Sequence, residues 1–313
     1  MENKRKKANK VNRKKKRQKP IQKTEANLRK QFFFDPTYDP VFKKIFEKME
    51  TLVHFLNAIL HLEGQQRIVY AKSLKSTIDL SSPAKKQKIA RFDVHARTAD
   101  GKFIDVEMQR VGHEDFLDRI ELYSSLLSVN AKILMDSESF PKKRADHPYR
   151  MPPVYSIWIC NFDVPFCDSY HEEIALYRSS DVKKSNPLPI YPKKKYIIID
   201  LTKFVPQKDS SPENEWMNLF KTMPKVKRTP KRVDSVLDDV YERLKIKNAT
   251  SKFIKKVATY MEKEELWTRL GTARREGEAI ANKKFAARDK KIAEFLQSIG
   301  VSKKNIATAF SIK

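Results

Sequence analysis

Apolar residues recur every three to four positions over residues 39–62 and again over 114–135, which predicts helices in both stretches. From about residue 213 onward the pattern is again helical, and highly charged. Strand-like patterns occupy six further stretches. They are residues 68–80, 91–98, 102–109, 154–163, 173–177 and 196–201. This order of helices and strands indicates an α/β fold with a mixed sheet.

Residues 91–110 predict a hairpin whose register follows from the sequence. A two-residue turn at Asp100-Gly101 would mix polar and apolar side chains on each face. A three-residue loop with Gly101 in the left-handed region instead pairs positions whose numbers sum to 200, so that Asp93 faces Glu107. This register sorts the faces, because a slip by one residue would turn every side chain over. The face that becomes polar carries Asp93, His95, Asp105, Glu107 and Gln109.

Two directly opposed carboxylates have Cβ atoms roughly 4.5–5.5 Å apart and repel one another unless a cation lies between them. A hard cation such as Mg²⁺ binds one or two carboxylates together with water and phosphate oxygens, which is the site of a metal-assisted phosphodiester hydrolase. The alternative is a solvent-facing strand pair whose acids are simply exposed. We expect His95 to be a polar surface residue rather than one that binds metal or substrate, and Asp105 to be a neighbour that tunes charge rather than a ligand. His54 and His61 are expected at the edge of the core.

The net charge of the chain indicates the kind of partner that it binds. The 313 residues contain 65 Lys and Arg against 39 Asp and Glu, a net charge of +26 that favours a polyanionic partner. Residues 1–31 carry 14 Lys and Arg against Glu2 and Glu25, and we expect them to be disordered. This arm either holds nucleic acid without sequence preference or, in a eukaryotic host, serves as a nuclear localisation signal.

Other classes of protein are excluded or disfavoured by composition. No glycine-rich phosphate loop is present, which excludes a P-loop NTPase. Cys160 and Cys167 form neither a disulfide framework nor a zinc set, so we expect two buried thiols in a reducing cytosol. The chain shows no membrane-spanning run and no secretory signal. We therefore expect a soluble cytoplasmic protein, or a nuclear one in a eukaryote, without a membrane partner.

Several motifs occur in a characteristic order between about residues 35 and 222. They are Asp39-x-x-Phe42-Lys43-x-x-Phe46, the run 55–60, Asp93-Val94, the run 104–109 ending in Glu107-Met108-Gln109, Arg119-x-x-x-Tyr123, Asp200-Leu201-x-Lys203 and Trp216. Together they resemble the PD-(D/E)XK nuclease superfamily, and within it the recombination-promoting nucleases, also described as PD-(D/E)XK nuclease family transposases. The resemblance implies a restriction-endonuclease-like α/β core and cleavage of DNA during recombination or transposition.

The resemblance also assigns roles. Asp93 and Glu107, joined by the Met108 carbonyl, would hold Mg²⁺ or Mn²⁺, and Gln109 would stand where the superfamily has a lysine. A neutral amide adds no positive charge, so either Lys43 or Arg119 would supply it. Asp39 is either an active-site acid or a helix N-cap. RNA as a substrate, and a catalytically inactive protein that only binds nucleic acid, remain the alternatives.

The sequence divides into three predicted parts: the basic arm 1–31, a nuclease-like domain 32–225 and a helical region 226–313. In the last part, residues 273–297 form a charged helix that we expect to stop at Gly300, followed by a short helix capped by Ser302. This ending is similar to that of many recombination-promoting nucleases. It favours a homodimer or an auxiliary DNA contact over readout of bases.

Overall fold

The computed structural model describes most of the chain. The described residues are 20–74, 77–79, 89–138, 147–181, 183, 187–207, 211–230 and 234–306. Residues 1–19, most of the predicted arm, lie outside them. Within the described residues, no helix combines the length and the apolar character needed to cross a membrane.

Seven helices are named here in chain order. They are α1 (residues 20–28), α2 (Asp39–Ile45), α3 (Met49–Ile59), α4 (Phe116–Glu138), α5 (Pro212–Thr222), α6 (Ser235–Leu244) and α7 (Ser251–Ser298). The predicted helical stretch 39–62 is therefore two helices. Pro40 lies in the first turn of α2, where its missing N–H is not needed.

Eight strands are present among the described residues. They are β1 (Ala71–Ser73), β2 (Thr77–Asp79), β3 (Ile89–Arg91), β4 (Val94–Thr98), β5 (Phe103–Gln109), β6 (Val154–Cys160), β7 (His171–Ile174) and β8 (Lys194–Asp200). Six of them form one sheet in the order β1-β4-β5-β6-β8-β7, and β2 pairs with β3 separately. The pairs β5–β6 and β6–β8 are parallel and the others antiparallel, which confirms the predicted mixed sheet.

The hairpin of β4 and β5 has the predicted register. Val94 pairs with Val106, and His95 pairs with Asp105. The turn closes with a hydrogen bond from the Gly101 N–H to the Thr98 carbonyl at 3.0 Å. Gly101 has φ 83°, the left-handed conformation that the three-residue loop requires. The alternation of polar and apolar side chains, together with the left-handed Gly101, was therefore enough to predict this register.

Helix α4 connects β5 to the parallel strand β6 and packs against the sheet. Its Phe116 and Ile120 pack with Trp158, and its Leu127 and Ala131 pack with Phe92 and Phe103. This face also carries Asp105 and Glu107, so the polar face of the hairpin lies under a helix rather than facing solvent. Cys160 and Cys167 are free, buried thiols, as expected.

Helices α2, α3 and α5 meet in a separate aromatic cluster. Phe46 stacks on Trp216 at a ring distance of 5.9 Å, and Phe55 meets the same indole edge-on at 5.2 Å. The Trp216 indole N–H donates to His54 Nδ1 at 3.0 Å, so this buried polar group is satisfied. His54 is thus a core-edge residue, as predicted.

Two boundaries along the chain differ between the structure and the sequence-based prediction: the end of the basic arm and the division into compact units. Residues 20–28 are helical and Leu28 is 2% exposed, so the second part of the arm is ordered. The chain forms two compact units that divide after Tyr260, not at residue 225. Helix α6 belongs to the first unit, because Arg243 donates to the Lys44 carbonyl and Tyr241 packs on Phe33.

The second unit, Met261–Lys313, contains most of α7 and the end of the chain. Gly300 has φ 91° and accommodates a Schellman motif, in which the Val301 N–H reaches the Leu296 carbonyl at 3.0 Å. The hydroxyl of Ser302 accepts from the Asn305 N–H at 3.3 Å. Both the predicted stop and the predicted cap are confirmed.

Candidate active site

Asp93 lies one residue before β4, at the end of the ladder with β5. Its Oδ2 accepts a hydrogen bond from the Met108 N–H, and its own N–H donates to Glu107 Oε1, each at 3.0 Å. The two acids predicted to face one another are therefore brought together by backbone hydrogen bonds rather than by a strand pair. These bonds fix both carboxyl groups before any ligand arrives.

Helix α2 contributes a cation to the same place. Lys43 Nζ lies 3.1 Å from Asp93 Oδ1 and also pairs with Asp39, one turn earlier on the helix. The N-cap of α2 is Tyr38, and Asp39 occupies the first helical position. Of the two roles weighed for Asp39, the N-cap is therefore wrong; its carboxyl lies beside that of Asp93.

Helix α4 contributes Arg119 from the other side. Arg119 Nη2 lies 3.9 Å from Glu107 Oε2, and its guanidinium stacks over the Tyr123 ring with 4.7 Å to the centroid. The spacing of four residues places both side chains on one face of α4. The Arg119-x-x-x-Tyr123 pair lies on the helix after the hairpin, and Arg119 borders the Glu107 carboxyl group.

Burial and the neighbouring acids favour the protonated form of all three acids of the hairpin. Burial, with a further contribution from Asp39, raises the pKa of Asp93 from 3.8 to about 6, although Lys43 opposes the shift. Burial also holds the pKa of Glu107 well above its usual value, and Asp105 and Asp93 add to that rise. Such a cluster keeps protons or attracts a cation.

Asp105 is the most deeply buried of these acids, and burial raises its pKa well above the usual value, with a contribution from Asp93. A side-chain hydrogen bond with Glu107 and the charge of Arg119 oppose this rise. His95, its ladder partner, is 1% exposed, with its ring 5.3 Å from that of Phe92. The expectation that His95 is a surface residue is wrong, because α4 covers this face.

Gln109 and Met108 lie at the end of β5. The Gln109 side-chain amide donates to the Val111 carbonyl at 2.9 Å and is turned along its own chain. Met108 points to the opposite face from Glu107 and is buried, while its N–H holds Asp93. Lys43, rather than Gln109, therefore contacts the Asp93 carboxylate.

Arg110 is a positioning residue that the sequence analysis missed. Its guanidinium pairs with Asp35 at 3.2 Å, hydrogen-bonds Thr37, and lies over the Tyr38 ring with 3.8 Å to the centroid. It thereby ties the end of β5 to the segment that leads into α2. A basic residue directly after Gln109 was the available signal, but its partners lie 73 and 75 residues earlier.

The later family motif is structural. Asp200 is fully buried at the end of β8, where its carboxylate accepts from the Val164 N–H and the Thr202 N–H, both at 2.8 Å. Lys203 pairs with the same carboxylate at 3.0 Å. These contacts fasten the loop after β6 to the end of β8.

The protein has an α/β fold with a mixed sheet, and a pair of carboxyl groups lies at the end of its central hairpin. Residues 36–268 match the family model for PD-(D/E)XK nuclease family transposases, and the chain belongs to that family. The match extends past the predicted limit near residue 222 and into α7. No curated protein and no solved structure matches the chain. Membership indicates a nuclease-like protein acting on nucleic acid, in a superfamily that generally uses divalent metal ions.

Proposed function

We propose that the protein is a metal-dependent DNA endonuclease in which Asp93 and Glu107 hold Mg²⁺ or Mn²⁺. The observation that carries the proposal is the pair of backbone-anchored, buried carboxyl groups whose pKa values are raised. Two acids fixed in this way suit a hard cation that prefers oxygen ligands. The Met108 carbonyl is the proposed third ligand.

The bound ion would polarise a phosphate and lower the pKa of a water molecule. Lys43 places a positive charge beside Asp93, where it can bind a phosphate oxygen and stabilise developing charge. It takes the part that a lysine at position 109 plays elsewhere in the superfamily. Arg119 opposes the rise in the pKa of Glu107 and would contact the nucleic-acid backbone from the opposite side.

DNA is the proposed substrate because the net charge of +26 favours a phosphate backbone. Residues 1–31 are proposed to tether DNA without sequence preference, and a role in recombination or transposition follows from the family. We further propose a homodimer through the helical C-terminal region. Large apolar side chains are exposed along α7, among them Trp267 at 73% and Phe295 at 63%.

The first experiment is a plasmid nicking assay with Mg²⁺ or Mn²⁺ and with EDTA. Wild type should nick DNA only with metal, and Asp93→Ala and Glu107→Gln should lose the activity. Asp100→Asn, on the exposed turn of the same hairpin, is the matched control and should cleave normally. Cleavage by Asp93→Ala at the wild-type rate would refute the site.

The rival function is binding without cleavage, and Gln109 is the observation that favours it, because its amide adds no charge and is turned away to Val111. A panel of supercoiled, linear, single-stranded and branched DNA, and of RNA, separates the possibilities. Tight binding with no metal-dependent cleavage of any member supports the rival. Cleavage of RNA alone would replace DNA as the substrate.

The dimer is tested by sedimentation of the full chain, whose monomer mass is 36.7 kDa. Wild type should sediment at twice this mass, and Phe295→Lys should weaken the association. A wild-type monomer at high concentration would refute the dimer and leave the nuclease proposal untouched.

A further inference from the structure

A second group of metal-ligating side chains lies at the outer edge of the sheet. His61 follows α3, His171 begins the edge strand β7, and Glu213 lies in the first turn of α5. His61 Nε2 is 2.6 Å from Glu213 Oε2, and His171 Nδ1 is 2.6 Å from Glu213 Oε1. One ligand atom from each residue lies within 4.8 Å of the others.

This cluster is separate from the carboxyl groups of the hairpin. In the sheet, β6 and β8 lie between β5 and β7. With neighbouring strands about 4.8 Å apart, β7 lies roughly 14 Å from β5. No residue is shared between the two groups, so a ligand at one does not require a ligand at the other.

The backbone at His61 supports a role beyond packing. Helix α3 ends in a Schellman motif, with the Leu62 N–H bonded to the Asn57 carbonyl at 3.0 Å. His61 occupies the left-handed position of this motif, with φ 49°, and is the one non-glycine residue with positive φ in the described part of the chain. Glycine is favoured there, and α7 has Gly300 at the matching position. A histidine in a disfavoured conformation is a reason to look for function.

The burial of the three side chains differs in a way that suits a metal site with one open side. Glu213 and His171 are mostly buried, with side-chain exposures of 11% and 15%, while His61 is 63% exposed. The expectation that His61 is a core-edge residue is therefore wrong. His61 and Glu213 also line a cleft of about 400 Å³, together with Asn57 and Arg67.

Two imidazole nitrogens and one carboxylate oxygen form a ligand set typical of zinc, with the fourth position left for water or a substrate anion. Around a tetrahedral Zn²⁺ with bonds of about 2.0–2.1 Å, neighbouring ligand atoms lie roughly 3.3 Å apart. The two hydrogen-bonded N···O pairs are at 2.6 Å. These pairs use different oxygens of Glu213, so with one carboxylate oxygen as ligand one pair would open to about 3.3 Å. The remaining ligand atoms, which lie within 4.8 Å of one another, would move to that distance.

We propose that His61, His171 and Glu213 form a zinc site that joins the end of α3, the edge strand β7 and the start of α5. The site is additional to the proposed Mg²⁺ site and does not depend on nuclease activity. Without an ion, the same residues would form a hydrogen-bonded ion triad, which is the competing interpretation.

The test uses the full chain, stripped with a chelator and then titrated with Zn²⁺ against a chromogenic competitor in excess Mg²⁺. Wild type should bind one zinc ion tightly, and His171→Ala and His61→Ala should each weaken binding by at least about 100-fold. His147→Ala, an exposed histidine outside the cluster, is the matched control and should bind as wild type does.

Thermal denaturation with and without Zn²⁺ supplies a second readout. Zinc should raise the Tm of wild type and of Asp93→Asn, and leave the Tm of His61→Ala unchanged. Since His61 is largely exposed, this variant should fold even if His171→Ala does not. Zinc binding that is equal in wild type and His61→Ala, or that is lost in Asp93→Asn, would overturn the proposal.

Discussion

Replacing Asp93 by asparagine should stabilise the metal-free protein at pH 8. Burial raises the pKa of this carboxyl from 3.8 to about 6, despite the opposing charge of Lys43. When the pKa is higher in the folded than in the unfolded protein, the stabilisation is complete below the unfolded value and is lost as the pH rises through the folded value. The wild type therefore loses stability between about pH 4 and pH 6, and asparagine, which stays neutral, does not.

The magnitude follows from the size of the shift. About two pKa units at 1.36 kcal/mol each correspond to about 3 kcal/mol at pH 8. Asparagine keeps an oxygen to accept from the Met108 N–H. The raised pKa already includes the opposing attraction of Lys43, so the loss of that pair is not subtracted again. The gain is about 3 kcal/mol, or a Tm increase of about 6–12 °C for a unit of this size.

The assay is thermal denaturation in EDTA from pH 4 to pH 8. Asp100→Asn is the control, because the pKa of Asp100 is shifted in the opposite direction. Partial burial raises this pKa, but hydrogen bonds from Lys102 and Thr98 outweigh that effect and lower it. Removal of the Asp100 charge should leave the free energy of unfolding at pH 8 unchanged or slightly reduced. An Asp93→Asn variant less stable than wild type at pH 8 without metal would refute the electrostatic reasoning.

Three further predictions follow from the same contacts. Lys43→Met should slow cleavage and move the acid limb of the pH–rate profile to higher pH, since Lys43 lowers the pKa of Asp93; an unmoved limb would contradict this role. Asp105→Asn should stabilise the metal-free protein, measured by denaturation at pH 8, because it removes an acid whose pKa burial raises. Deleting residues 2–19 should weaken DNA binding at all sequences and flatten its log–log salt dependence by about 0.9 per lost phosphate contact, while turnover at saturating DNA is kept.

The sequence by itself determined the features that depend on neighbouring residues. The hairpin register followed from Gly101 and from the alternation of polar and apolar side chains, both of which act within a few residues. The caps at Gly300 and Ser302 followed for the same reason. The order of the motifs along the chain was enough to indicate the family, because each motif is a short run of sequence. Their positions relative to one another in space are set by the fold.

Only the tertiary structure decided what surrounds the polar face of the hairpin. The alternating pattern shows that Asp105 and Glu107 share a face, but a pattern of period two is the same whether that face meets water or a helix. The crossover to β6 lays α4 over it, which buries His95 and raises the pKa of the acids.

The tertiary structure also decided which distant residues meet. Lys43 reaches Asp93 across 50 positions, and Glu213 meets His61 across 152 positions. Neither pair leaves a periodic or spacing signal in the sequence, because the contact depends on how α2, α3 and α5 pack after the chain has folded. Contacts of this kind depend on the packing of the helices, and they cannot be predicted from a single sequence.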